Sequence, residues 1–403
     1  MSLLSYEASQ SMLELLSIGA LRYEKLPLSE TLGRILYEDV VAQYNDPRFP
    51  TASMDGYAVK HADLALGRLK VLGDNPAGSH EERTIEEGES IKTFTGSMMP
   101  KGSDTLIQIE NVSREGDEIV INEAVVFGSS VRPVGEGFRS GDILIKKGTK
   151  IGFAQIGVMA ALNMVMVKVA QKPRVGVVST GSEILDLGEQ STNPAQIRSS
   201  NNYTLAALFA QAGAQSLQLG VVGDDKTQII KSFENALASC DIVVTTGGVS
   251  VGDYDFVKDI VPRLGAEVVF KGVAIKPGRH IMLAKKDEKF IVSLPGFAYS
   301  STVTAVLYVL PLISKMLGRE EAYRIVEAKL QERFEKRSKF TEFTPCNALF
   351  DSGGYEVDFQ DKRVGSSAIL TNLLNDAALM ISGEEDAVLE IGTSVNVILL
   401  DSF

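Results

Sequence analysis

The sequence has no tryptophan, two cysteines and three histidines in 403 residues. Cys240 and Cys346 lie far apart and form no CxxC pair. That argues against a disulfide framework or a cysteine-based zinc site and points to reduced thiols in a cytosol. His61, His80 and His280 stand in no HExxH or other ligand spacing. Basic residues are in deficit too: 40 Lys and Arg against 52 Asp and Glu leave a net charge of −12. Non-specific nucleic-acid binding needs a basic surface and is not expected. The chain opens without a basic start and a cleavable apolar core, so no secretory signal is expected. Long unbroken apolar runs are missing as well. Residues 151–170 contain Gln155, Asn163 and Lys168 and read as a short helix followed by a strand. Residues 299–317 carry Pro311 and several hydroxyls and read as a buried helix rather than a membrane span. Neither a GxxxxGK[ST] loop nor a GxGxxG fingerprint occurs, which argues against a P-loop ATPase or a nicotinamide dehydrogenase.

What is present is organised around Asp241 to Gly252, DIVVTTGGVSVG. Ile242-Val243-Val244 has the character of a buried strand. It breaks into Thr245-Thr246-Gly247-Gly248-Val249-Ser250, and Phe256, Val257, Ile260 and Val261 follow at helical spacing. Glycines let a backbone approach a phosphate, and the free N–H groups at a helix start point toward it. A plain strand-to-helix turn would carry the same glycines, so this stretch by itself divides evenly between turn and anion site.

The rest of the chain supplies context. Residues 1–44 read as helix, break, helix: Met12, Leu13, Leu15 and Leu16 share a face that Gly19 ends, and Ser29 caps a second helix with Leu32, Ile35 and Leu36 at helical spacing. A proline-rich hinge at 45–50 leads into Thr51-Ala52-Ser53-Met54-Asp55-Gly56, where Asp55 reads most simply as a turn residue. Residues 57–135 alternate in short runs, the pattern of a small β domain, with a polar loop at 94–104. From Pro173 strands alternate with helices: 175–178, 216–222, 242–245, 268–270 and 290–293, separated by helical patterns near 203–211, 227–238, 256–264 and 299–316. This predicts an α/β domain on a largely parallel sheet. Residues 320–403 lose that rhythm and read as a small β domain. The boundaries expected are therefore 1–44 with 136–170, an inserted β part at 45–135, the α/β domain at 171–319 and a C-terminal β domain at 320–403.

The punctuation of the α/β region falls at strand ends: Ser179-Thr180-Gly181-Ser182-Glu183, Gly223-Asp224-Asp225, the Thr-Thr-Gly-Gly loop, Lys276-Pro277-Gly278-Arg279 and Leu294-Pro295-Gly296. Ligands of open α/β sheets bind outside the carboxyl ends of the strands, so this rim gains weight as a site. Carboxylates beside a phosphate site imply a divalent cation between them, and Mg²⁺ suits that donor set. Asp225 is better read as a helix cap, Glu183 and Asp255 as site acids. Lys276 and Arg279 would screen remaining ligand charge. The residues themselves reach no further than an Mg-dependent binder or transferase for a phosphorylated small molecule.

The motifs PRFPTASMDGYAV, TFTGSMMPKGSDTLI, PRVGVVSTGSEI, TTGGVSVGDYDF and AIKPGR occur in this order. As a set they resemble the MoeA/gephyrin E-domain family, the molybdopterin molybdenumtransferases, over nearly the whole chain. The resemblance implies a four-part subunit with an α/β molybdopterin-binding domain, an inserted small β domain and a C-terminal β-barrel-like domain. It implies a cytoplasmic homodimer with a shared active-site cleft, and an adenylyltransferase as supplier of the substrate. The implied reaction takes molybdate and adenylylated molybdopterin, needs Mg²⁺ and releases AMP. Residues Thr246, Gly247, Gly248 and Ser250, beside Thr180 and Gly181, would cradle the pterin phosphate. Glu183, Asp224 and Asp255 match the family's metal and pyrophosphate acids, while Asp55, Thr95 and Lys276, with Pro277 and Gly278, match site positions. Ser366 matches a serine of the C-terminal domain facing molybdate. The chain departs from the family pattern at Gly137, where many members carry an acid and Glu136 or Asp142 is nearest. It departs again at Gly272 and Val273, where a second lysine is common and Lys271 is displaced by one residue. For the C-terminal arginine of some members, the nearest basic candidate is Lys339. A scaffold of the gephyrin type and a single-domain adenylyltransferase are the competing readings.

Overall fold

The structure is a computed structural model that describes residues 3–79, 81–223, 225–247, 256–336 and 338–401. The chain folds as two compact units: Met1–Glu38, Lys147–Ile156 and Val165–Phe403 in one, Asp39–Lys146 and Gly157–Met164 in the other.

The first unit is built on a six-stranded sheet. Its order is Gln215–Val222, Arg174–Thr180, Ile242–Thr246, Lys289–Leu294, Met282–Lys286, Glu267–Lys271. The first four strands are parallel, and the last two add antiparallel. The Met282–Lys286 strand has no counterpart in the sequence reading. It is the near half of a hairpin whose turn residue Asp287 has φ 54°, and two lysines at its end mask its apolar start. Central strands are buried on both faces, which is why they read as continuous Val/Ile runs. Val175, Val177, Ile242 and Val244 pack with Phe209 and the helical run 298–317 on one side. Val243 and Ile291 pack with Phe233, Ile260 and Val261 on the other.

The run Ala298–Leu317 is, among the described residues, the one helix long and apolar enough to cross a membrane, and it is mostly buried within the protein. It widens into a π turn at Ala305–Val309 just before Pro311. The wider turn makes room for a proline ring that would otherwise press on the Leu307 carbonyl. That carbonyl instead accepts from Gln10 Nε2 at 3.4 Å.

Two expectations for the N-terminal segment are overturned. The first helix, Tyr6–Leu15, stops four residues before Gly19, and Lys315 Nζ donates to the carbonyls of Leu13, Glu14 and Leu16 at its end. The second helix does not form. Residues 28–30 make one 3₁₀ turn, Gly33 sits at φ +75°, and Ile35 and Leu36 run extended to bridge Lys150 and Val169. Leu32 is 65% exposed. Helical spacing over so few residues cannot outweigh strand pairing that buries Ile35 and Leu36.

The C-terminal part closes on itself. Thr341–Asp351 pairs with both Gly354–Asp358 and Ala377–Ser382, and Ile325–Leu330 and Ser394–Leu399 complete the ring, giving a five-stranded barrel. The short strand Ile275–Lys276 adds to its outside in parallel, with Lys276 opposite Glu342. The barrel is filled by Val326, Leu330, Val357, Met380 and Val397.

The second unit contains a six-stranded sheet in the order Thr105–Gln108, Gly56–Val59, Glu89–Thr93, Arg68–Asn75, Glu118–Ile121, Val112–Glu115. Tyr57, Val59, Leu69, Val71, Ile107 and Ile119 form its core. Alternation along Arg68–Asn75 matches a sheet with one covered face.

Candidate functional site

The parallel strands bring the glycine turns to one edge. Register pairs Ser179 with Thr246 and Thr246 with Leu294, while Thr180 pairs with Val222. The turns after these strands begin at Gly181, Gly247, Pro295 and Gly223, so the starts of four loops that are remote in sequence lie at one edge. A buried hydroxyl chain ties it: Ser179 Oγ donates to Asn202 Oδ1 at 2.6 Å and lies 3.0 Å from Thr246 Oγ1. Thr180 Oγ1 donates to the Thr246 carbonyl at 3.4 Å, and Gly247 N–H donates to the Leu294 carbonyl at 3.2 Å. Asn201 Nδ2 donates to the Gly296 carbonyl at 2.8 Å, fixing the neighbouring turn.

Close approach to backbone requires glycine at Gly247, and backbone conformation favours it at Gly181. At Gly247, φ +87°, a Cβ would lie 2.8 Å from the Thr180 carbonyl oxygen. At Gly181, φ +144°, a Cβ would lie 2.6 Å from Glu183 Oε2. The exposed Glu183 carboxylate thus folds back over Gly181, and its backbone carbonyl accepts from Ile197 N–H at 2.9 Å. A side chain at position 181 would occupy the space that the carboxylate takes. An exposed carboxylate at a strand end offers hard oxygen donors to a divalent cation. Asp224, Gly248, Ser250 and Asp255 lie outside the described residues. Among the described residues no group of three His, Cys, Asp or Glu side chains has metal-binding proximity.

A second feature adjoins the α/β part and the barrel. A cavity of about 410 Å³ is lined by Lys276, Pro277, Gly278 and Arg279 from the sheet side. Ser366 and Ser367 line it from the barrel side, and Ser300 from the start of the buried helix. This volume is in the range that holds a small-molecule ligand. Its charged groups are mixed. Lys276 and Arg279 stand against a single acid, Glu342, and His280 lines the wall beside them. Lys276 Nζ donates to Glu342 Oε1 at 3.2 Å, and the Arg279 guanidinium lies 4.8 Å over the Phe340 ring. Ser366 Oγ accepts from Ala368 N–H at 3.4 Å. Gly278 has φ +106°, and a Cβ there would strike Thr304 Cγ2 at 2.2 Å, so only glycine lets this turn approach the helix.

In the second unit, Asp55 and Thr95 meet directly. Asp55 Oδ1 accepts from Thr95 N–H at 2.8 Å and from Thr95 Oγ1 at 2.7 Å. The backbone bond first, then the hydroxyl, holds this carboxyl below its ordinary range, with Lys92 adding to the effect. The turn reading of Asp55 is therefore incomplete: its carboxylate organises the polar loop that begins at Phe94.

Asp225 caps the helix Lys226–Ser239, accepting from Gln228 N–H at 2.8 Å, as its position before a helix suggests. Lys271 ends the outer strand Glu267–Lys271 at the same edge of the sheet as the rim. At Gly137 a Cβ would meet Asp46 Oδ2 at 2.8 Å, so an acid already fills that space. Glu136 instead pairs with Arg132 at 2.6 Å, and Asp142 accepts from Arg139 N–H at 2.8 Å. Sequence reasoning placed Ser179 at the rim without a role and missed Asn202, Ser300 and Glu342. Asn201-Asn202 at a helix start was a usable signal for Asn202; Glu342, the one charged residue between Phe340 and Phe350, lies just past a charged run and carried none.

Comparison with known proteins supplies the family. Residues 4–163 match the MoeA N-terminal region (domain I and II), and residues 176–315 match a probable molybdopterin binding domain. A molybdopterin molybdenumtransferase of Staphylococcus epidermidis is 33% identical over 382 residues, covering 93% of this chain and 90% of the relative. One from a Nostoc species is 34% identical over 315 residues, covering 76% and 72%. Two structures of a Pyrococcus horikoshii molybdopterin biosynthesis moeA protein superpose with TM-scores of 0.85 and 0.82 at 30% and 28% identity. They cover 100% and 99% of this chain and 100% of each of theirs. Similarity of this extent spans both matched regions and the barrel beyond them, and this chain belongs to the MoeA family of molybdopterin molybdenumtransferases, which act in molybdenum cofactor biosynthesis.

Proposed function

We propose that this chain transfers molybdenum from molybdate to adenylylated molybdopterin with release of AMP, using the strand-end rim and the adjoining cavity as one site. What carries this reading is the convergence of Lys276, Pro277 and Gly278 with Ser366 on a single cavity next to the rim. The two substrates are anions, and the elements suit them. Thr180, Gly181, Thr246 and Gly247, with Gly248 and Ser250, hold the pterin phosphate through backbone N–H groups and hydroxyls. Lys276 and Arg279 balance oxyanion charge, and Ser300 and Ser366 offer hydroxyl donors to molybdate. Asp55, kept ionised by Thr95, is an acceptor that orients a donor on the substrate.

Glu183, Asp224 and Asp255 are the acids proposed to hold Mg²⁺; the fit rests on the exposed Glu183 carboxylate folded over Gly181. Bound there, the cation would neutralise pyrophosphate charge and favour departure of AMP. The protein is further proposed to act in the cytoplasm as a homodimer with a shared cleft, taking its substrate from an adenylyltransferase.

The test is AMP release from adenylylated molybdopterin by the purified chain. Release should require molybdate, stop when EDTA removes divalent cations and return with Mg²⁺. Glu183→Gln and Asp255→Asn should fall at least about a hundredfold, the scale for losing a group that stabilises developing charge. Full turnover by both folded variants, or after EDTA, would end the assignment of these residues and of the metal. Sedimentation at micromolar concentration tests the dimer: a monomer with full activity would exclude a shared cleft.

A further inference from the structure

We infer that Glu342 is a positioning residue for the transfer reaction, acting through Lys276. The inference rests on the proposed reading that the Lys276 ammonium meets an anionic substrate.

The Glu342 side chain is 5% exposed and uses both oxygens: Oε1 accepts from Lys276 Nζ at 3.2 Å and Oε2 from Ser338 Oγ at 2.9 Å. The backbone supports the same pairing. The strand Ile275–Lys276 lies parallel to Thr341–Asp351 with Lys276 opposite Glu342. Register and side-chain contact therefore fix one another. The Lys276 side chain is 34% exposed. Lysine carries its charge on a flexible four-carbon stem, and an unheld ammonium would sample much of the cavity mouth. It has three donors and no acceptor. With one donor on Glu342, two remain for a ligand in the cavity that both residues line. An acid in the wall of an anion site opposes binding by its charge. What it gives in return is a fixed direction for the lysine, which matters most as charge redistributes during transfer.

The test uses the full-length protein and its AMP-release assay, with a direct reading of the lysine. Glu342→Gln should lower kcat about tenfold without raising KM for molybdate, because losing the carboxylate frees the lysine but removes a repulsive charge. Glu342→Asp should recover most of kcat. Ser338→Ala, which loosens only the far oxygen, should lower kcat two- to threefold. Acylation by an N-hydroxysuccinimide ester, read by mass spectrometry, should label Lys276 several-fold faster in Glu342→Gln and leave Lys285 unchanged. Unchanged labelling of Lys276, unchanged kcat, or faster labelling of both lysines with a lower Tm would each overturn the inference. Should Glu342→Gln fail to fold, absence of any Lys276-specific labelling change in Ser338→Ala and Glu342→Asp would overturn it equally. Wild-type turnover by Lys276→Ala would instead overturn the underlying reading that this lysine meets substrate.

Discussion

Asp55 Oδ1 accepts two hydrogen bonds from a single residue, the Thr95 N–H at 2.8 Å and its hydroxyl at 2.7 Å. Both favour the ionised acid, so the folded carboxyl titrates below the ordinary 3.8. A depressed folded value stabilises the fold above the unfolded value, and that contribution disappears as pH falls from about 3.8 through the lower folded value. Thr95→Ala removes the hydroxyl but keeps the N–H, so the Asp55 carboxyl should titrate part of the way back toward 3.8, followed by ¹³C NMR. Asp55→Asn should reduce AMP release by at least about tenfold, the low end for losing a positioned acid–base or acceptor group.

The rim depends on backbone proximity at Gly247. An added methyl there meets the Thr180 carbonyl at 2.8 Å in a conformation, φ +87°, that side chains rarely adopt. Gly247→Ala should cost about 1–3 kcal/mol in urea unfolding, the range for strain at a special backbone position. Displacing this loop should raise KM for the pterin substrate more than that for molybdate. Equal stability and an unchanged KM would remove the loop from the substrate-binding role.

Asp225 offers the contrasting case. Its carboxylate serves the helix Lys226–Ser239 through Gln228 N–H. Asp225→Ala should lose about 1 kcal/mol of stability, the usual cost of an N-cap, with AMP release within twofold of the parent protein. A large loss of turnover at unchanged stability would place this acid at the substrate instead.

Neither thiol should react in the native protein. Burial pushes the Cys346 thiol up to about 12 and raises Cys240 as well. Both side chains are buried and unoxidised. At pH 8 a thiol-specific disulfide reagent should titrate close to no groups in the folded state and both cysteines in guanidinium. Rapid native labelling of Cys346 would show that the barrel opens on the labelling timescale.

Much of the α/β part was legible because its strands are covered on both faces and written as Val/Ile runs ending in glycine. Arg174–Thr180, Ile242–Thr246 and Lys289–Leu294 appear within two residues of their expected ends. The rim was legible for the same reason, since parallel strands bring their carboxyl ends to one edge. Met282–Lys286 was not, because lysines at one end hide a strand whose apolar half is short. The segment after Ser29 misled, because three apolar residues at helical spacing are also compatible with an extended run whose buried residues pair elsewhere.

Local chemistry written along the chain was enough to set the strands, the glycine turns, the capping acid at 225 and the motif set that marks the family. Neighbouring residues decide those features, so composition and spacing carry them. Folding alone determined that Lys276 faces Glu342, that Ser366 shares its cavity and that Asp55 is held by Thr95. Each of these joins segments far apart in the chain. Their meeting follows from sheet register and barrel closure, which depend on the burial of whole surfaces and leave no local signature.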